Sequence, residues 1–350
     1  MTINTALKLQ LIIDGAQATT RGTLIAACSA AGIRAIAQDE KISTINDTVA
    51  ALRGDLHRVA CVSIQRLNGS GLSLVGLANA LKTDECRARV LLIQQNGLVT
   101  KPQIAFVRQL GFAGLLGELD PSNPEQDVRT ILRWLAKSAD DESIGLIAPA
   151  KLRTYLKAAT LSKSVETPRA QVKRLTQLSP EQCVAQLFQV IDHKDRRYHL
   201  QTFAHCFVGS DAVTAIAARF ELTRSQAVVI GAELMSLGCM HHVAYDQPFA
   251  DEGYFYRLNA IHLTDQVSLA SALAALESTV SLVADRTYRT AKFPQCFVGS
   301  AAIDALVQAL KLTRDQALAV MIQLEGLRMF VHVTGEHGII DGHYYYRFRK

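Results

Sequence analysis

Cys206-Phe207-Val208-Gly209-Ser210 returns unchanged as Cys296-Phe297-Val298-Gly299-Ser300, ninety residues further on. The register then holds in both directions without a gap. Leu222-Thr223-Arg224 answers to Leu312-Thr313-Arg314, Gln226-Ala227 to Gln316-Ala317, and Leu234 and Leu237 to Leu324 and Leu327. His242-Val243 answers to His332-Val333, Asp251 to Asp341, and Tyr256-Arg257 to Tyr346-Arg347. Upstream, Asp195-Arg196 and Tyr198 match Asp285-Arg286 and Tyr288. Agreement over this length means a duplicated domain, with copies expected at 180–260 and 270–350.

Working outward from the pentapeptide, one unit reads as three helices and a β-hairpin. Ser179 caps and Pro180 opens a helix through Val190. Arg197–Gln201 reads as a short strand or extended segment. Ser210 is the expected cap of a helix over Asp211–Arg219, and Thr223 of a third over Arg224–Leu237, ended by Gly238. Met240–Tyr245 and Tyr254–Leu258 form the closing hairpin. Such α+β units are winged-helix-like.

The ordered motifs, from Asp195-Arg196-Arg197-Tyr198 through Cys206-Phe207-Val208-Gly209-Ser210-Asp211 to Tyr254-Phe255-Tyr256-Arg257-Leu258, resemble a DEP domain, twice over. The second copy departs at Ala301 for Asp211, Arg328 for Gly238 and Gly338 for Pro248. The resemblance implies docking to signalling proteins or to an anionic membrane surface, with no chemistry. Arg196, Arg197, Arg224, Arg286, Arg289 and Arg314 are the basic residues expected to serve it. No metal site is expected. His241-His242 reads as a structural strand pair, and His332, His337 and His343 as surface hairpin residues.

Residues 1–138 alternate apolar runs (Leu9–Ile13, Ile33–Ala37, Val59–Ser63, Val90–Ile93, Ala113–Leu116) with helical segments near 19–31, 43–53, 72–82, 101–110 and 124–137. This predicts a doubly wound α/β domain with a five-stranded parallel sheet. It resembles the flavodoxin-like receiver domain of response regulators, but the site residues that the resemblance calls for are missing. Asp14 is followed by Gly15, so the acidic pair is reduced; Ser63 stands at the acceptor place, Gln94 at the hydroxyl place and Glu118 at the lysine place. Without a carboxylate acceptor, and with the lysine's charge reversed, a phosphoryl group has nowhere to form or be held. The expectation is a degenerate, phosphorylation-incompetent receiver-like domain. Asn68-Gly69-Ser70-Gly71 lacks phosphate-loop spacing and reads as a strand-to-helix turn capped by Ser70.

Residues 139–179 read as a linker with a short helix around Ala150–Thr160. Within residues 151–174, Lys151, Arg153, Lys157, Lys163, Arg169, Lys173 and Arg174 face one acid, Glu166, a net of +6 beside a whole-chain charge of +5. This stretch could serve an anionic partner. The first repeat has nine acids to six bases, a poor balance for reading DNA. Seven dispersed cysteines without a CxxC pair suit reduced thiols. No apolar run reaches membrane-spanning length, and the start lacks a signal-peptide pattern, so a cytoplasmic chain is expected.

The leading expectation is a non-enzymatic signalling adaptor without cofactors, binding signalling proteins, nucleic acid being an improbable partner and a homodimer left open. One alternative is a DNA-binding regulator using the third helix of a repeat. Another is a working response regulator phosphorylated on Asp14 or Ser63. No catalytic triad, paired carboxylates or nucleotide motif supports an enzyme.

Overall fold

The structure is a computed structural model that describes residues 9–16, 18–38, 44–95, 97–117, 119, 125–159, 167–199, 201–279, 281–288 and 290–350. Strands β1 (Gln10–Asp14), β2 (Arg34–Ala37), β3 (Arg58–Ser63), β4 (Val90–Gln94) and β5 (Gly114–Gly117) form an all-parallel sheet in the order β2-β1-β3-β4-β5. The short apolar runs predict this, since a strand covered on both faces needs no polar alternation. The order reverses between β1 and β3, which places a crevice at the carboxyl ends of those strands.

Helices α1 (Ala18–Ala31) and α6 (Glu125–Ala139) cover one face through Leu24, Ala27, Ile131 and Leu135. Helices α2 (Ile45–Gly54), α3 (Leu74–Leu81) and α5 (Lys101–Gln109) cover the other through Val49, Leu52, Leu77 and Phe106, with the short α4 (Asp84–Ala88) before β4. The loop expected to be capped by Ser70 is built differently. Ile64–Gly69 forms a 3-10 helix, and the cap of α3 is Ser73, whose hydroxyl accepts from Gly76 N at 3.0 Å.

The segment read as a linker is largely packed. Helix α7 (Pro149–Ala159) lies on α1 and buries Leu152 and Leu156 in the same core. Helix α8 (Pro168–Thr176) is capped by Thr167 and packs Val172 against the first repeat. That repeat is α9 (Pro180–Val190), β6 (Lys194–Tyr198), β7 (Gln201–Val208), α10 (Gly209–Phe220), α11 (Arg224–Ser236), β8 (Met240–His242) and β9 (Phe255–Leu258). The second is α12 (Leu269–Ser278), β10 (Ala284–Tyr288), β11 (Ala291–Val298), α13 (Gly299–Leu310), α14 (Arg314–Gly326), β12 (Phe330–His332) and β13 (Tyr345–Phe348). Both sheets are antiparallel with equivalent orders, β6-β7-β9-β8 and β10-β11-β13-β12.

Two expectations about the repeat are corrected. The strand expected at Arg197–Gln201 is not a lone one: Arg197 and Tyr198 end β6 and Gln201 begins β7 of a hairpin arm, with Tyr198 paired to Gln201. The arm carries a register shift between Lys194 and Arg196, where the Asp195 carboxylate accepts from His205 N at 3.0 Å. Asp285 and Gln295 repeat this at 3.0 Å. Neither does Ser210 cap α10. The helix begins at Gly209, and its first amides donate to wing-loop carbonyls, Gly209 N to Tyr254 O at 2.9 Å and Ser210 N to Glu252 O at 3.0 Å. This explains the glycine of the repeated pentapeptide. A Cβ at 209 would lie 2.3 Å from Ala250 O, and one at 299 would lie 2.4 Å from Ile340 O.

The second repeat is fused to the parallel-sheet domain. Gln323 of α14 is buried and donates to Thr264 Oγ1 at 2.7 Å, while Thr100 Oγ1 donates to it at 2.5 Å and Gln103 Nε2 donates to its carbonyl at 3.0 Å. Ser73 N donates to Lys350 O at 2.6 Å. The first repeat joins through Leu98, which follows β4 and is buried in that repeat's core.

Candidate functional site

The crevice at the end of β1 and β3 is the place to look for a phosphoryl site. Asp14 lies there, fully buried, but its charge is already matched: Arg66 Nε donates at 2.7 Å and Thr48 Oγ1 at 2.6 Å. A hard divalent cation needs about six oxygen ligands, several of them water. Here a guanidinium occupies the cation's place. Gly15 cannot be replaced by an acid without cost, because its φ is +74° and a Cβ would meet Arg66 Cβ at 3.1 Å and Ser63 Cβ at 3.2 Å.

Ser63 is buried and held locally. Its hydroxyl donates to Gln65 Oε1 at 2.9 Å and accepts from Gln65 N at 3.3 Å. Gln94 Nε2 donates to Leu98 O at 2.8 Å, and Gln95 Nε2 donates to Gly15 O at 2.7 Å. The structure thus brings Asp14 and Ser63 together at one sheet edge and binds both inward. Glu118 lies outside the described residues. Arg66 is the residue that sequence reasoning misses. It stands 52 positions from Asp14 and carries no local signal.

The basic residues expected to dock partners separate into two kinds. Arg196 donates to the Cys206 carbonyl and Arg286 Nη2 to Leu282 O at 3.2 Å, so both brace the root of an arm. Arg224 forms a two-pronged pair with Asp251, and Arg314 pairs with Asp341 at 2.6 Å and with Asp304 at 2.5 Å. These tie the third helix of each copy to its wing loop. Arg197 alone among the described five is an exposed arm-tip residue, and Arg289 lies outside the described residues.

Beside Arg197 stands Tyr198, 63% exposed; on the second arm Tyr288 is 57% exposed and Lys292 is exposed as well. Of the basic linker residues, Arg169 pairs with Glu181 at 2.8 Å, and Lys151, Lys173 and Arg174 are exposed. Lys163 and the side chains of Arg153 and Lys157 lie outside the described residues.

His241 is a structural residue: it is buried, bonded through Nδ1 to Asn259 Oδ1 at 2.9 Å and stacked on Tyr245, and burial pushes its pKa down to about 4. All seven cysteines are buried free thiols, and burial pushes Cys28 and Cys183 up to about 12, far from reactive thiolates. Among the described residues no helix is long and apolar enough to cross a membrane.

Residues 191–258 and 281–348 each match the family described as "Domain found in Dishevelled, Egl-10, and Pleckstrin (DEP)". The chain carries two DEP domains in tandem. It is similar to the Vacuolar membrane-associated protein IML1 of Eremothecium gossypii, 33% identical over 86 residues, 24% of this chain and 6% of that protein. The Coccidioides immitis protein of that name is 39% identical over 66 residues, 18% of this chain and 4% of its own length. The mouse Phosphatidylinositol 3,4,5-trisphosphate-dependent Rac exchanger 1 protein is 28% identical over 167 residues, 44% of this chain and 10% of that protein. The chain therefore spans a tenth or less of these relatives' length.

Proposed function

We propose that this chain is a non-enzymatic signalling adaptor in which a degenerate receiver-like domain is the platform for two DEP docking modules. One observation carries the reading. Polar groups where chemistry would occur are paired inward, as Asp14 is with Arg66, whereas each DEP arm presents an exposed tyrosine beside an exposed base. Tyrosine suits a boundary between water and an apolar or anionic surface, and a base beside it adds electrostatic attraction.

A signalling protein is the leading partner, and the anionic membrane is the second surface. Names of two relatives point toward membranes, one by "vacuolar membrane-associated" and one by dependence on a phosphoinositide. Duplex DNA fits poorly, since α14 is buried along most of its length and α8 lies against α11.

Flotation of the full chain with phosphatidylserine and phosphoinositide vesicles, beside duplex DNA, tests the membrane arm. Recovery with vesicles that is lost in a Tyr198→Ala/Tyr288→Ala variant supports membrane docking. Salt-sensitive retention on DNA alone contradicts the adaptor. The receiver-like reading is tested with a small phosphodonor. The intact mass is expected to stay unchanged, whereas a stoichiometric phosphoryl adduct removed by Asp14→Asn or Ser63→Ala would restore a working response regulator.

A further inference from the structure

We propose that His332, Glu336 and His337, in the wing of the second DEP domain, form a binding site for a borderline divalent transition ion of the zinc class. One ligand atom from each of the three lies within 4.8 Å of the others. His332 ends β12, and Glu336 and His337 lie six residues or fewer along the same wing loop.

The rings are prepared for ligation. His337 Nδ1 lies 3.0 Å from the Gly338 carbonyl, which can only accept, so Nδ1 carries the proton and Nε2 keeps its lone pair. His332 Nδ1 is engaged at 3.0 Å by Thr334 Oγ1, which likewise leaves Nε2 for a metal. A second-shell bond of this kind orients histidine ligands in metal sites. Aromatic neighbours fix both rings: His332 sits 5.3 Å from Tyr346, His337 lies 4.8 Å from Tyr344, and the two imidazoles are 4.0 Å apart.

Two imidazoles and a carboxylate make a three-ligand set with a fourth position left for water. Bonds of about 2.0–2.1 Å require donors roughly 3.4 Å apart in a tetrahedron. The closure needed is at most about 1.4 Å, and rotation of the exposed Glu336 side chain would bring its carboxylate in toward the imidazoles. The cluster lines a cavity of about 600 Å³ whose wall includes Tyr288 and Phe293 of the second arm, so a bound ion would sit at that arm's foot.

The first repeat is the internal control. Its corresponding residues are His242, Asp246 and Gln247. There His242 Nδ1 is already closed on Asp246 at 2.8 Å, and the third donor is an amide. The ion site is therefore a property of one copy. In the sequence these histidines read as surface hairpin residues, although Glu336 directly precedes His337.

The test uses the full chain stripped with chelator and titrated with Zn²⁺ by calorimetry and with Co²⁺ by visible absorption. One ion per chain is expected, with micromolar or tighter affinity and no thiolate charge-transfer band. His337→Gln, which installs the residue of the first copy on an accessible loop, should weaken binding at least tenfold, and Glu336→Gln should weaken it less. His242→Gln should leave the titration unchanged. Failure to retain an ion, thiolate ligation, or an unaltered titration in His337→Gln would overturn the site.

Discussion

The two DEP domains share a skeleton and differ in what they pack against. In both, a buried tyrosine pins the wing loop: Tyr256 OH donates to Pro248 O at 2.6 Å, and Tyr346 OH donates to Gly338 O at 3.1 Å. Under that wing the copies solve one packing problem in opposite ways. The first sets Gly231 against Phe249, whereas the second has Met321 and Ile339 at the same two places, both buried in one core. A Cβ at 231 would lie 2.0 Å from the Phe249 ring, so the small and large members have traded places. The third helix diverges more. Position 233 is a half-buried glutamate in the first copy, and its counterpart, Gln323, is buried in polar bonds to Thr100 and Gln103 of the parallel-sheet domain. One copy is thus bonded directly to the parallel-sheet domain, and the other packs on Leu98, on Val172 of α8 and on Ala319 and Ile322 of α14. Duplication kept the residues that shape the unit and released those that face its neighbours.

The largest expected effect breaks the packing comparison. Gly231→Met in the first copy should cost about 3 kcal/mol or more by overpacking against Phe249. Adding Phe249→Ile recreates the second copy's pair and should recover most of it. Chemical denaturation of the two variants would read this coupling, and additive losses would mean the copies pack by different rules.

Next comes the junction. Gln323→Ala removes the bonds from Thr100 Oγ1 and to Thr264 Oγ1 inside a buried junction and should cost about 2 kcal/mol, whereas Glu233→Ala at the equivalent place should change stability by less than about 0.5 kcal/mol. Thermal unfolding of both variants would check the contrast.

The copies should also respond to pH with opposite sign. Glu325, which replaces Met235 of the first copy, is pushed up to about 7 by burial. Its protonated form is the one the fold accepts, so its contribution is complete below about pH 4.5 and is lost as pH rises through 7. His241, which the second copy replaces with Val331, is pushed down to about 4 by burial. Its neutral form stabilises the fold above about pH 6.5, and that contribution fades as pH falls through 4. Glu325→Gln should remove the loss of unfolding free energy between about pH 4.5 and 7, and His241→Val the gain between about pH 4 and 6.5, each by on the order of 1 kcal/mol. A slope unchanged in either variant would remove that group from the account.

How much of this is legible in the chain depends on the range of the interaction. The repeat is plain because its shape-making residues are local strings, and the parallel sheet because its strands are apolar runs. The arms escape notice because Lys194–Tyr198 is polar on both faces, so no alternation marks it as a strand. Helix α8 is hidden by its charge, since Arg169, Lys173 and Arg174 flank the buried Val172. Asp14 is recognisable as a remnant acid, but its neutralisation by Arg66 is a tertiary fact. The arginines of the repeats are visible as charges, whereas Asp251 and Asp341, which hold Arg224 and Arg314, are met only in the fold.

The smallest expected effect on stability accompanies the most informative effect on function. Tyr198→Ala and Tyr288→Ala remove exposed side chains and should shift unfolding by less than about 0.5 kcal/mol. The most direct measurement is capture of partners from native lysate by the full chain, set beside the variant lacking both tyrosines. The account predicts a defined signalling protein retained by the native arms and lost when both tips are removed. Equal retention by the two forms would contradict docking through the arms.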